Sequence, residues 1–228
     1  YLWILMSIIF LATWTTFIIS YVQDYNHQRA NIWTRLPLHM CSINVTLYPL
    51  FFGLRKKIRP FFSSTLFAYM YFFGSAGAVL AMVVTAPSDC LGPTIHLLNY
   101  NVFTYWLKHG LIFILPILFV ILGFYQPKLI DIVKACVFLI GLLCIMELVN
   151  LLFSWFNELN GGTGICNYFY TRTGKGTAVL EQFYNFLPYE LIYMFPLAII
   201  AIPIFFIYYL PIGIIEYVKK RNKTKRIC

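Results

Sequence analysis

Long apolar runs alternate with short polar stretches along the whole chain. Six of these runs, near 1–21, 36–54, 65–86, 103–123, 130–156 and 187–216, reach the roughly 17–25 residues a helix needs to cross a hydrocarbon core. The pattern predicts an all-α fold: a polytopic integral membrane bundle of six transmembrane helices, forming a single domain over residues 1–228. Pro116, Pro196, Pro203 and Pro211 are expected to kink the helices that hold them. The polar connections are unequal. Residues 22–35 place Trp33 at interface depth, and 87–102 read as an outer loop, partly re-entrant. The longest, 157–186, carries an aromatic middle, Asn167-Tyr-Phe-Tyr170, and reads as a structured lid on the membrane surface. The chain opens on Tyr1 rather than Met, so it is expected to continue upstream, with room for one more span. Its first twenty residues lack a basic leader and a small-residue cleavage site, so they read as a true span and not a signal peptide.

Composition agrees with that pattern. With 61% hydrophobic and 11% charged residues, a soluble globular domain is excluded. The net charge of +9 could suggest a nucleic-acid partner, but its placement excludes one. Arg55, Lys56, Lys57 and Arg59 follow one apolar run, and Lys219, Lys220, Arg221, Lys223, Lys225 and Arg226 follow another, as topology signals and contacts to anionic headgroups do. Together with Lys128 and Lys134 they occupy alternate connections, whereas the other connections hold only Arg29, Arg35, Lys108, Arg172 and Lys175. The positive-inside rule then puts the 55–64 loop, the 124–129 loop and the C-terminus in the cytoplasm of a multi-pass cell-membrane protein.

That topology brings ionisable groups from four helices to one depth in the outer half: Cys41, His109, Glu147 with Asn150, and Glu190. In the fifth span Cys136, Ile140, Cys144, Glu147, Asn150 and Ser154 recur at offsets of three or four and predict an interior polar stripe, because a carboxylate facing lipid costs about 2.5–3.5 kcal/mol even on a lenient scale. In the second span Cys41, Asn44 and Tyr48 share a face. His39 is two residues from Cys41, about 200° around a helix, so His109 is the better base for Cys41 unless the turn near Pro37 is irregular. A thiol beside an imidazole suggests a nucleophile and its base. Taken singly, each is as well explained as a small apolar filler or an interfacial hydrogen-bonder. Their common depth carries the functional reading. Asn44 or amides opening the fourth span would hold an oxyanion, and Glu147 or Glu190 would orient His109, with Glu147 first an interior polar anchor.

The run Leu36-Pro-Leu-His-Met-Cys41, the Lys108-His109-Gly110 opening of a later span with Pro116 after it, and Asn167-Tyr-Phe before the last span resemble the YwaF family of integral membrane proteins, related to animal transmembrane protein 164. The resemblance covers most of the chain. It implies a membrane acyltransferase acting on phospholipids or lysolipids through a cysteine and a histidine, roles that fall by motif on Cys41 and His109.

Other motifs are weaker. His27, His39, His96 and His109 include no pair at helical ligand spacing, so no metal is expected, and no motif implies a cofactor. Gly174-Lys-Gly-Thr177 lacks the leading glycine of a phosphate loop, which is Phe169 here. Cys90 and Cys166 both fall in outer loops and could pair as a disulfide. The alternative to a lipid acyltransferase or hydrolase is a non-enzymatic substrate-binding subunit of an importer, for which Ser75-Ala-Gly-Ala78 would be a docking stripe.

Overall fold

The computed structural model describes residues 1–26, 32–57, 59–83, 100–175 and 177–225. Among them the chain is all-α, in the order α1 (Leu2–Asn26), α2 (Ile32–Arg35), α3 (Met40–Leu54), α4 (Pro60–Tyr69), a π-helical turn (Met70–Gly74), α5 (Ser75–Val83), α6 (Tyr100–Ile121), α7 (Leu129–Leu159), a 3-10 turn (Tyr168–Tyr170), α8 (Ala178–Phe186), a 3-10 turn (Ile192–Met194) and α9 (Phe195–Lys225). Among the described residues five stretches are long and apolar enough to cross a membrane: Leu2–Ile19, Pro60–Val83, Val102–Ile121, Leu129–Leu159 and Ile192–Ile215. The chain is a polytopic helical membrane protein.

The second expected span is shorter than its apolar run. Proline disfavours the helical region for the residue before it, and around Pro37 the backbone bends, with Leu38 N–H donating to Leu36 O at 2.7 Å. Helix α3 therefore begins only at Met40, and its 15 residues rise about 22 Å. It lies within the bundle, with Ser42, Asn44, Val45, Tyr48 and Phe52 buried. The third span opens earlier than its pattern suggests because Pro60 sits in the first turn of α4, where a missing N–H is harmless. That span also contains the π-turn, whose five residues are all buried. Pro116, Pro203 and Pro211 lie inside α6 and α9, with Pro196 in the first turn of α9. The expected re-entrant loop lies outside the described residues from 84 to 99.

Aromatic rings join the helices. Phe119 of α6 stacks on Phe52 at 5.4 Å and meets Phe67 edge-on at 5.5 Å. Phe205 of α9 packs against Phe72 and Phe73 of the π-turn at 5.5 and 4.4 Å. Gly74 closes that turn because a Cβ there would collide with the Tyr48 hydroxyl. At the same end as the Arg55 cluster, buried Asp131 accepts from the Tyr125 hydroxyl and the Lys128 amide, both at 3.0 Å, and pairs with Lys134 at 2.7 Å. Burial and this carboxylate push the Tyr125 phenol well above its usual range, so it stays a donor. Ser75 and Ala78 are buried, so the small-residue stripe packs within the chain.

The interior face of α7 differs from the predicted polar stripe. Ala135, Leu139, Leu143, Met146, Asn150 and Asn157 are buried, while Ile140 and Cys144 are exposed. At about 100° per residue the buried face is centred roughly 80° from the stripe. Only Asn150 belongs to both.

Candidate functional site

Helices α3 and α6 bring Cys41 and His109 together across 68 positions of sequence. The distance from Cys41 Sγ to His109 Nε2 is 3.1 Å, and His109 is 3% exposed. The other ring nitrogen, Nδ1, lies 2.8 Å from Tyr105 O, one helical turn earlier on α6. A carbonyl oxygen can only accept, so Nδ1 carries the proton and Nε2 presents its lone pair to the thiol. The imidazole is thus held in the one tautomer able to take a proton from sulfur. The Tyr105 ring lies 4.1 Å from the imidazole and its hydroxyl donates to Ala81 O at 2.7 Å, fixing the base from the side. Sequence spacing anticipated the Cys41–His109 pair but missed the Tyr105 carbonyl. Its only trace in the sequence is an aromatic residue four positions before the histidine.

His39 points elsewhere, but not for the reason its helical offset gives, since the turn near Pro37 leaves it outside α3. It precedes α3 in extended conformation (φ −65, ψ 153), and its ring lies 5.4 Å from those of both Tyr168 and Tyr170. Asn44, one turn beyond Cys41, is 2% exposed, and its Oδ1 has no hydrogen-bond partner among the described residues.

The two glutamates do not orient His109. Glu147 Oε2 accepts from the Thr171 hydroxyl at 2.5 Å and its Oε1 lies 3.4 Å from Arg172 Nη1, while Glu190 Oε1 lies 3.2 Å from Arg172 Nη2. Glu190 sits in the turn before α9, half-exposed, rather than at a helix mouth. Arg172, one of the cations outside the basic clusters, is the bridge between the two carboxylates.

The middle of the 157–186 connection packs into the bundle, whereas Ile165 and Phe186 on either side of it stay exposed. Cys166, Tyr168, Phe169 and Thr171 are buried. Asn150 draws this stretch inward: its Nδ2 donates to Tyr168 O and to Thr171 Oγ1, and its Oδ1 accepts from Tyr168 N, all at 2.8 Å. That grip holds Phe169 and Tyr170 at φ +57, a left-handed conformation costly for bulky residues. Trp33 pins the same stretch from α2, its ring 5.3 and 5.1 Å from Phe153 and Phe156 and its carbonyl accepting from Tyr168 Oη at 2.8 Å and Cys166 Sγ at 3.2 Å. Burial raises both donors above their ordinary range, so both keep their protons. Cys90, the expected disulfide partner of Cys166, lies outside the described residues.

A sequence profile described as the TMEM164 family matches residues 1–209, from α1 into α9. The chain belongs to the TMEM164 family. No curated protein and no solved structure matches it. The TMEM164-family match spans both α3 and α6, the helices that carry Cys41 and His109.

Proposed function

We propose that this chain is a membrane-embedded lipid acyltransferase or lipid hydrolase in which Cys41 is the nucleophile and His109 its base. The observation that carries the reading is the 3.1 Å contact between Cys41 Sγ and His109 Nε2, with Nδ1–H committed to the Tyr105 carbonyl. Nucleophile, base and orienting group are each within hydrogen-bond reach of the next, as nucleophilic catalysis requires. Cys41 is half-buried in a bundle whose flanks are apolar, so its substrates are phospholipids or lysolipids that enter from the membrane. The run Leu36 to Cys41 further aligns the chain with YwaF-type members. The site lies in the outer half of the membrane with the C-terminus cytoplasmic, as the charge placement supports.

In the first half-reaction His109 Nε2 takes the thiol proton as sulfur bonds to the acyl carbon. The same proton passes to the departing lipid alkoxide, leaving a thioester on Cys41. A lysolipid hydroxyl or water then reverses the sequence. Acyl exchange into a labelled lysophospholipid, measured in membranes carrying the wild type, Cys41→Ser or His109→Ala, tests the reading. Both variants are expected to fall to background, and transfer retained in both would refute it.

A further inference from the structure

Among the described residues, the half-buried lysines and arginines of the bundle meet partners, with one exception. Arg55 donates to Phe52 O and lies over the Phe52 and Phe124 rings, at 4.0 and 5.2 Å. Lys134 pairs with Asp131 at 2.7 Å, and Arg172 with Glu147 and Glu190 at 3.4 and 3.2 Å. Lys108 is the exception. It is half-buried, yet among the described residues its ammonium makes no ion pair or hydrogen bond. A cation set into an apolar span is costly, and by default it marks a functional site.

Helix geometry fixes where that charge stands. Lys108 lies one turn after Thr104 and one turn before Ile112 on α6, and both of these are buried, so its stem leaves the helix toward the bundle. The same face meets α3, whose Tyr48 hydroxyl donates to Ile112 O at 3.2 Å. Its neighbour in the chain is His109, whose Nε2 is 3.1 Å from Cys41 Sγ. Lys108 is six residues inside the apolar stretch Val102–Ile121, about 9 Å along the helix from its first residue. Helical side chains lean toward the N-terminus of their helix, here the nearer membrane face, and a long lysine stem carries its ammonium toward headgroup level. The shorter thiol and imidazole stay deeper.

We propose that Lys108 binds the phosphate of the phospholipid whose acyl ester Cys41 attacks, so that the site selects phosphate-bearing lipids over neutral glycerides. This rests on the reading of Cys41 and His109 as the place of acyl attack. In a glycerophospholipid the sn-2 ester and the phosphate sit on adjacent glycerol carbons, with the phosphate nearer the water. That order matches an ammonium standing above the thiol–imidazole pair. An anionic phosphate oxygen accepts from Lys108 Nζ and neutralises it, as lysines do at phosphate sites. A lysolipid acceptor keeps the same phosphate, so Lys108 serves both half-reactions, whereas a diacylglycerol offers the ammonium no anion. Arg172 does not compete for this role, because Glu147 and Glu190 already neutralise it.

The test measures lipid binding in detergent-solubilised Cys41→Ala protein, which has no thiol at this position to acylate. Native mass spectrometry compares phosphatidylcholine with a diacylglycerol of the same acyl chains, in this protein and in the same protein carrying Lys108→Met. Lys108→Met is expected to weaken phosphatidylcholine binding by roughly 10–100-fold, the loss of one charge-assisted hydrogen bond, and to leave diacylglycerol binding within about twofold. Lys108→Arg should keep most of the phosphatidylcholine bound. The Tm of Lys108→Met should not fall, since the change removes a charge from an apolar span. An excess of inorganic phosphate should leave the lipid in place. Unchanged phosphatidylcholine binding in Lys108→Met would overturn the proposal. Equal loss of both lipids would also overturn it, by showing that Lys108 only shapes the pocket. Displacement by inorganic phosphate would assign the site to the soluble ion, against the headgroup. None of these arms depends on catalysis. Acyl transfer retained in Cys41→Ser would therefore refute the nucleophile, while a Lys108-dependent preference for phosphatidylcholine would still support the headgroup site.

Discussion

His109→Ala is expected to lower acyl transfer by roughly 10²–10⁴-fold, the range over which positioned acid–base groups act. The argument rests on the ring's two nitrogens having different duties. With Nδ1–H held by Tyr105 O at 2.8 Å, Nε2 is left as acceptor and meets the thiol at 3.1 Å. Alanine removes the acceptor and leaves a thiol with no base in contact. Because His109 is almost fully buried, the deletion also opens an imidazole-sized space against the Tyr105 ring, 4.1 Å away. Added imidazole should therefore restore part of the activity in His109→Ala and none in Cys41→Ser. Partial rescue separates proton transfer from a packing role, and a His109→Ala protein as active as wild type without imidazole would contradict the assignment.

Asn150→Ala should be the most destabilising single change for the Cys166–Thr171 stretch that α7 holds, by on the order of 3 kcal/mol from buried groups left unpaired. One side chain satisfies both backbone groups of Tyr168 and orients Thr171. Thr171 passes its own proton toward Glu147, so Asn150, Thr171, Glu147 and Arg172 form one directional chain of donors and acceptors. Without the amide, nothing in that chain compensates the left-handed backbone of Phe169 and Tyr170. The loss should appear as a lowered Tm and as faster cleavage of the 160–175 stretch by protease. Asn150→Asp, which retains an acceptor for the Tyr168 amide, should fall between the two. A change within about 0.5 kcal/mol, the range of ordinary surface substitutions, would show that other contacts hold the loop.

These two residues also mark how far the sequence could be read. Membrane architecture was legible because hydropathy and basic clusters such as Arg55–Arg59 depend on local composition alone. The Cys41–His109 pairing was legible because the charge-derived topology put both residues at one depth, although His109 lies more than two turns inside α6 and not at its start. Three features were not. The late start of α3 follows from a turn at Pro37 that a window of apolar residues averages away. The buried face of α7 is set by what packs on it, so a polar stripe assigned from periodicity alone landed roughly 80° off. The inward path of the Cys166–Thr171 stretch depends on Asn150 reaching residues eighteen and twenty-one positions away, a contact with no local signature. The roles of Glu147 and Glu190 changed for the same reason: Arg172 reaches both only once that stretch has folded inward.

The central claim is that Cys41 carries an acyl group during turnover. Incubating the membrane protein with a phospholipid bearing an isotope-labelled acyl chain, quenching in acid and mapping peptides by mass spectrometry measures it most directly. A labelled acyl adduct on the Cys41 peptide, released by neutral hydroxylamine as thioesters are and strongly reduced in His109→Ala, is the predicted result. Acyl transfer proceeding with no adduct on Cys41, and undiminished in Cys41→Ser, would contradict it.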